Sequence, residues 1–289
     1  MIPKEVLKKV KLIEIQTRKL VNNVFSGEYH THFKGQGMTF SDFREYVPGD
    51  DIRTISWPLT ARTGKTFIKT FEEERELTVI LAVDVSGSTD FGSGNNFKGE
   101  IIIYLSALLA YAAERNKDQV GLILFSDHVE HFIPPKKGRG HLQRMLRDLL
   151  YFKPKHHKTR ISSCAQFLQG FLKKRATIFL MSDFMDQDFD QSLRFLAKKH
   201  EVVACVIQDP AESQIPDLGL IELQDPETGE VQLVDTSSKQ FQQKMQSQFN
   251  YHSDLRDKFL KKAQIARVNV STHGDYVQPL LEFFKRKKR

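Results

Sequence analysis

Apolar side chains fall into two kinds of run along this chain. Residues 77–83 (Leu-Thr-Val-Ile-Leu-Ala-Val) form an unbroken, β-branched stretch, as a strand buried on both faces requires. Residues 120–125, 177–181 and 202–207 repeat that character. Between the runs, apolar groups return at helical spacing. Ile101, Leu105, Leu108, Leu109 and Ala112 share one face, and residues 141–150, 162–172 and 191–199 read as further helices. This alternation predicts right-handed βαβ crossovers and a doubly wound, mainly parallel α/β sheet of Rossmann type.

The flanks differ. Residues 3–24 repeat Val6, Val10, Ile13, Leu20 and Val24 with lysines between, the pattern of an amphipathic helix with Pro3 in its first turn. From Phe25 to Glu76 the punctuation by Gly27, Gly35, Gly37, Pro48, Gly49, Pro58 and Gly64 predicts an irregular, strand-containing subdomain. The chain is thus expected to divide into an N-terminal helix with a small β-rich subdomain (1–76) and an α/β domain with a C-terminal extension and basic tail (77–289). In the extension, residues 218–223 and 231–234 flank Asp225-Pro226-Glu227-Thr228-Gly229 and read as a hairpin. Residues 238–262 read as a helix, 267–270 as a strand and 277–284 as a last helix.

Composition adds exclusions. The chain has 289 residues, 40% hydrophobic and 27% charged, an ordinary globular balance. It holds no apolar run long enough to span a bilayer and no secretory h-region near Met1, so a cytoplasmic location is expected. Cys164 and Cys205 are its two cysteines; their spacing matches no metal motif, and buried thiols are expected. The formal charge is +7, but residues 1–24 carry +4 and residues 285–289 carry +5, leaving the body near −2. A basic groove for nucleic acid is therefore not expected. The tail is expected to make at most weak contact with a membrane surface.

Candidate chemistry sits at strand ends. In an open α/β sheet, ligands bind beyond the carboxyl ends of the strands. Two strands end in acidic, hydroxyl-rich loops there: Asp84-Val85-Ser86-Gly87-Ser88-Thr89 and Ser182-Asp183. Carboxylate and hydroxyl oxygens are hard ligands, suited to Mg²⁺ or Mn²⁺. Ser86 and Ser88 face one point if the loop is extended. Gly64-Lys65-Thr66 is not a phosphate-binding loop, because Leu59 stands where the first glycine is needed. The pairs His30/His32, His128/His131 and His156/His157 have no partner pair at ligand spacing and read as surface histidines. Arg44, Glu45, Asp50, Asp51 and Arg53 read as a structural ion-pair network.

The DxSxS stretch resembles the first element of the metal-ion-dependent adhesion site of von Willebrand factor A domains. That resemblance implies a threonine on a second loop, for which Thr159 is the candidate, and an aspartate on a third, matched by Asp183. Arg160 departs from the acidic residue common after this threonine in bacterial relatives. Upstream, Gly37-Met38-Thr39-Phe40, Arg44-Glu45-Tyr46, Pro48-Gly49-Asp50-Asp51, Arg53, Ile55-Ser56-Trp57, Ala61-Arg62 and Glu72-Glu73-Glu74-Arg75 are similar to the bacterial family called "domain of unknown function fifty-eight". Residues 121–127 and Met181-Ser182-Asp183-Phe184 continue the likeness. It implies work beside a MoxR-type AAA+ ATPase in the assembly or maturation of other proteins. The expectation is a metal-dependent interaction module, with Asp84, Ser86, Ser88, Thr159 and Asp183 around one cation and a partner's carboxylate completing the shell. The alternative is a metal-assisted phosphoester hydrolase. The loops show no adjacent histidine or lysine to serve as a base, which favours binding over turnover.

Overall fold

In the computed structural model, residues 4–21, 26–33, 39–72, 76–94, 96–186 and 188–286 are described. Pro3, Val24, Gly35, Gly37, Met38, Glu73, Glu74, Arg75 and tail residues 287–289 lie outside them.

The uninterrupted apolar runs become the strands of one six-stranded sheet: β3 (Thr78–Asp84), β4 (Gln119–Phe125), β5 (Val129–Lys136), β6 (Thr177–Ser182), β7 (Glu201–Gln208) and β10 (Ala266–Ser271), in the order β10-β7-β6-β3-β4-β5. All neighbours run parallel except β5, which is antiparallel to β4 at the edge. Strand residues alternate between two cores. Val79, Leu81 and Val83 enter one apolar cluster, and Ile80 and Ala82 enter the other. The first cluster is completed from α4 (Lys98–Arg115), α5 (Arg139–Tyr151) and α10 (Val277–Arg286). The second is completed from α6 (Ile161–Phe171), α7 (Asp190–Lys199) and α9 (Lys239–Lys262). Both faces are therefore dry, which is why these strands carry no polar alternation. The arrangement is a mixed α/β fold around a mostly parallel sheet.

β5 was not foreseen. It holds Pro134 and Pro135, and proline is admitted on edge strands.

The N-terminal half matches expectation in part. α1 (Lys4–Leu20) packs on α4 and α5, with Ile13 and Val21 in the first core. Its Glu14, 4% exposed, pairs with Arg139 at 2.7 Å. The irregular stretch expected from Phe25 instead begins with a helix, α2 (Ser26–Phe33), which packs on α4 and α10. Tyr29 donates to Asp118 Oδ2 at 3.1 Å, and the His32 ring meets the Phe284 carbonyl at 3.1 Å. Glycine and aromatic residues make this a poor helix in isolation, so tertiary contacts hold it.

The β-rich part is a ribbon of β1 (Thr39–Glu45) and β2 (Phe67–Glu72), antiparallel, with the short helix α3 (Trp57–Thr63) between them. Its charges pair locally. Arg44 grips Asp50 through both terminal nitrogens at 2.8 and 2.6 Å, Lys65 meets Glu45 at 2.7 Å, and Asp51 caps Arg53 N at 2.9 Å.

In the extension, a short helical turn α8 (Pro210–Ser213) leads to the expected hairpin of β8 (Leu220–Gln224) and β9 (Val231–Asp235). Its base is tied by Thr236, fully buried, whose Oγ1 accepts from Leu218 N and donates to Gly219 O. α9 follows, capped by Ser238. Among the described residues no helix is long and apolar enough to cross a membrane.

Candidate metal centre

Strand order fixes where the site lies. The chain leaves β3 for β4 on one side and later returns to β6 on the other. This reversal opens a crevice at the carboxyl ends of β3 and β6. Asp84, the last residue of β3, and Asp183, just past β6, both arrive there. Asp84 is 1% exposed. Its Oδ1 accepts from Ser86 N at 3.0 Å, and its Oδ2 accepts from Ser182 Oγ at 2.6 Å. The loop then enters a single turn over Gly87–Asp90, with Ser86 Oγ and Ser88 Oγ 3.1 Å apart. The two hydroxyls meet, but it is this turn that brings them together and not the extended loop that alternation assumed. Asp183 Oδ1 accepts from Met185 N at 3.2 Å.

Asp183 Oδ2 has a partner that sequence reasoning missed. Lys98, in the first turn of α4 and 2% exposed, places its ammonium 3.0 Å from Asp183 and against Glu212 of α8. The expectation of no nearby lysine is therefore corrected: α4 carries one across the crevice. The available signal was a lone lysine opening an otherwise apolar helix.

The charges do not balance. Lys98 meets Asp183 and Glu212, while Asp84 accepts only from Ser86 N and Ser182 Oγ, so the three carboxylates carry two more negative charges than Lys98 balances when all are ionised. Burial and the charge of Asp183 push the Asp84 carboxyl up to about 7, against the opposing bonds from Ser182 and Ser86. Burial alone would lower Lys98, but Asp183 and Glu212 outweigh it and hold the ammonium above its ordinary range. Burial raises Glu212 despite Lys98. The donor set is all oxygen, in carboxylates and hydroxyls, and it is short of about one divalent cation's charge. It fits a hard ion such as Mg²⁺.

Thr159 lies on the neighbouring loop, half-buried. That loop touches the DxSxS turn where Gly87 N donates to His157 O at 2.9 Å. Thr159 Oγ1 donates to Glu227 Oε1 at 2.7 Å, so its hydroxyl is bonded to the tip of the β8–β9 hairpin and not to the Asp84 or Asp183 loops. The same tip sits directly on Gly87, where an added Cβ would lie 2.2 Å from the Pro226 carbonyl oxygen. In the sequence Glu227 is one residue of the hairpin turn; its pairing with Thr159 spans 68 positions. Arg160 is exposed, and its backbone N–H donates to Ser126 O at 2.9 Å.

The histidines, read as surface residues, are exposed at His128 and His156 but buried at His32, and the fold joins members of two different pairs. Asp127, His128 and His156 bring a carboxylate oxygen and two ring nitrogens within 4.8 Å of one another. His128 Nδ1 stands 2.6 Å from Asp127 Oδ1, holding that carboxyl below the usual range. Mixed nitrogen and oxygen donors suit zinc-class ions rather than Mg²⁺.

The family described as "Protein of unknown function DUF58" matches residues 42–254. An uncharacterized protein of Mycobacterium tuberculosis is 26% identical over 265 residues, covering 91% of this chain and 79% of that protein. An uncharacterized Mycobacterium avium protein is 25% identical over 174 residues, covering 54% of this chain and 94% of it. Among solved structures, the conserved hypothetical protein BatB from Bacteroides thetaiotaomicron aligns with 73% of this chain and 98% of its own, at 15% identity and a TM-score of 0.49. An aerotolerance-related membrane protein from Bacteroides fragilis covers the same shares at 15% identity and a TM-score of 0.48.

Proposed function

The chain belongs to the family described as Protein of unknown function DUF58, and from that premise we propose that it is a cation-dependent protein-interaction module with a von Willebrand factor A-like centre. Asp84, Ser86, Ser88, Thr159 and Asp183 would hold Mg²⁺ or Mn²⁺. When bound, the ion supplies a positively charged position that an acidic side chain of a partner can fill, a charge-assisted contact stronger than a neutral one. A MoxR-type AAA+ ATPase is the partner class that the family resemblance implies, with assembly or maturation of other proteins as the setting. The basic residues from Lys285 onward add weak attraction to an anionic membrane surface.

The observation that carries this reading is the convergence of Asp84 and Asp183 from adjacent strand ends, with Ser182 Oγ bonded across to Asp84 at 2.6 Å. The chain's residues prepare the position in separate ways. Ser182 and Ser86 N orient the Asp84 carboxylate. The single turn after it brings the two serine hydroxyls together. Lys98 fixes Asp183 in place.

The second reading, a metal-assisted phosphoester hydrolase, gains a specific observation in Lys98. A general base at neutral pH must give up its proton readily. Lys98 is held as an ammonium between two carboxylates, so it acts as a fixed positive charge, and binding remains the preferred function.

The test is calorimetric titration of Mg²⁺ into wild type and Asp84→Ala, followed by partner capture with and without chelator. The expected result is loss of ion binding and of capture in the variant, and loss of capture with chelator. Equal capture under all conditions refutes the mechanism. Asp84-dependent turnover of generic phosphoesters would reverse the order of the two readings.

A further inference from the structure

We propose that Glu227 is a built-in acidic ligand of this same site, so that the β8–β9 hairpin occupies the position an outside carboxylate must take. This rests on the reading of the Asp84 loop as a cation site. Four observations converge on it.

The first is placement. Glu227 Oε1 lies 2.7 Å from Thr159 Oγ1, the hydroxyl proposed above for the cation shell. A carboxylate bonded to that hydroxyl, on a tip that also presses on Gly87, stands beside the proposed shell. The second is approach. The Pro226 carbonyl presses on Gly87 so closely that a Cβ there would stand 2.2 Å from its oxygen. The tip is seated on the DxSxS backbone itself, and glycine at position 87 admits it.

The third is presentation. Asp225 Oδ1 accepts from Glu227 N at 2.8 Å and Thr228 N at 3.1 Å, and Gly229 N donates to Asp225 O at 2.8 Å. Gly229 takes φ +75° to close the turn. The tip is therefore a preformed bracket that carries Glu227 at a set height. The fourth is the contrast between base and blades. Thr236 anchors the base, whereas Leu220, Val231 and Leu233 on the outward face are 65%, 57% and 63% exposed. A two-stranded ribbon is marginal by itself, so its contact with the site is a separable part of its stability. Between the ribbon and α9 runs a groove that reaches Ser88 and Lys98 at one end and Phe241 and Met245 along its wall. Lifting the tip about the Thr236 base opens that groove to the ion.

The site thus carries its own competitor. A partner must offer a carboxylate that displaces Glu227, and the ion alone favours the closed state.

The experiment is Mg²⁺ titration calorimetry on the full chain as wild type, Glu227→Gln and Asp84→Ala, with hydrogen exchange at amides 227–230 measured with and without Mg²⁺. Glu227→Gln is expected to weaken Mg²⁺ binding by at least about ten-fold, the scale on which even outer-shell groups act. Mg²⁺ is expected to slow exchange at the tip in wild type and not in Glu227→Gln. Wild-type Mg²⁺ affinity in Glu227→Gln, with Asp84→Ala unable to bind, overturns this inference and leaves the site reading standing. Undiminished Mg²⁺ binding by Asp84→Ala removes both. Ser86→Ala replaces Asp84→Ala if the latter does not fold.

Discussion

Ser182 Oγ donates to Asp84 Oδ2 across 2.6 Å, joining the last residue of β6 to the last residue of β3. Both side chains are buried, and the bond lies on the seam where the strand order reverses. It does two things at once: it locks the two strand ends in register, and it favours the ionised form of Asp84 against burial and the nearby Asp183. Ser182→Ala therefore leaves a buried acceptor without its partner, which costs about 1–3 kcal/mol. Thermal unfolding is expected to fall accordingly, and Mg²⁺ affinity with it. An unchanged melting curve would show that the seam is held elsewhere.

Gly87→Ala drives a methyl group into the Pro226 carbonyl. Overpacking of this kind costs about 1–3 kcal/mol, and here it is expected to appear mainly as displacement of the hairpin tip. Limited proteolysis of the variant should cut faster near residues 225–229 while the sheet stays resistant.

Lys98→Met removes the ammonium between Asp183 and Glu212. Breaking a buried pair from one side costs about 3–5 kcal/mol. The variant should be more sensitive to divalent cation than wild type, because the ion then neutralises carboxylates that Lys98 served before. The comparison is the gain in melting temperature on adding Mg²⁺. A smaller gain in Lys98→Met than in wild type would contradict the charge argument.

Asp209, just past the end of β7, is buried among hydrogen-bond donors. Burial pushes its carboxyl up, but bonds from the Ser93 and Thr272 hydroxyls and from Ser93 N and Ala211 N hold it at about 2. Its folded value is below the unfolded one, so it stabilises the fold fully above about pH 4, and that contribution disappears as pH falls through about 2. The size is about 2 kcal/mol by the same linkage. The stability gap between wild type and Asp209→Asn should close by this amount between pH 5 and 2 on denaturant titration. A constant gap would assign the residue a purely steric role.

The basic end gives a test by subtraction. Arg286, 77% exposed in its side chain, makes a loose pair with Glu282 at 3.6 Å, and such surface pairs contribute little. A chain lacking residues 285–289 is expected to unfold as wild type does. Its binding to anionic vesicles at low salt should weaken, by roughly 1 kcal/mol per cation removed. Unfolding on truncation would show that the end of α10 is structural.

What the sequence disclosed divides along physical lines. Strands buried on both faces write themselves as continuous apolar runs, so β3, β4, β6 and β7 were legible, and Asp84 and Asp183 came with them as the first acidic residues past two such runs. Lys98 was not legible, because a buried cation looks like any helix-opening lysine until the crossing of α4 over β6 is known. Glu227 and Thr159 pair across 68 residues, and neither local periodicity nor turn chemistry reports such a distance. Asp127 and His156 likewise come from separate loops. α2 escaped because its residues favour other conformations, and the contacts of Tyr29 and His32 override that preference. β5 escaped because two prolines are a correct argument against an interior strand and no argument against an edge.

Those prolines have a consequence for how copies of this protein meet. Pro134 and Pro135 have no N–H to donate, and they lie where the pairing of β5 with β4 slips register between Ile133 and Lys136. A strand arriving from another molecule would find an edge irregular in register and short of donors. Sheet-to-sheet templating from this side is thereby discouraged even in crowded solution, and any assembly formed across β5 must rely on side chains instead of a shared backbone ladder.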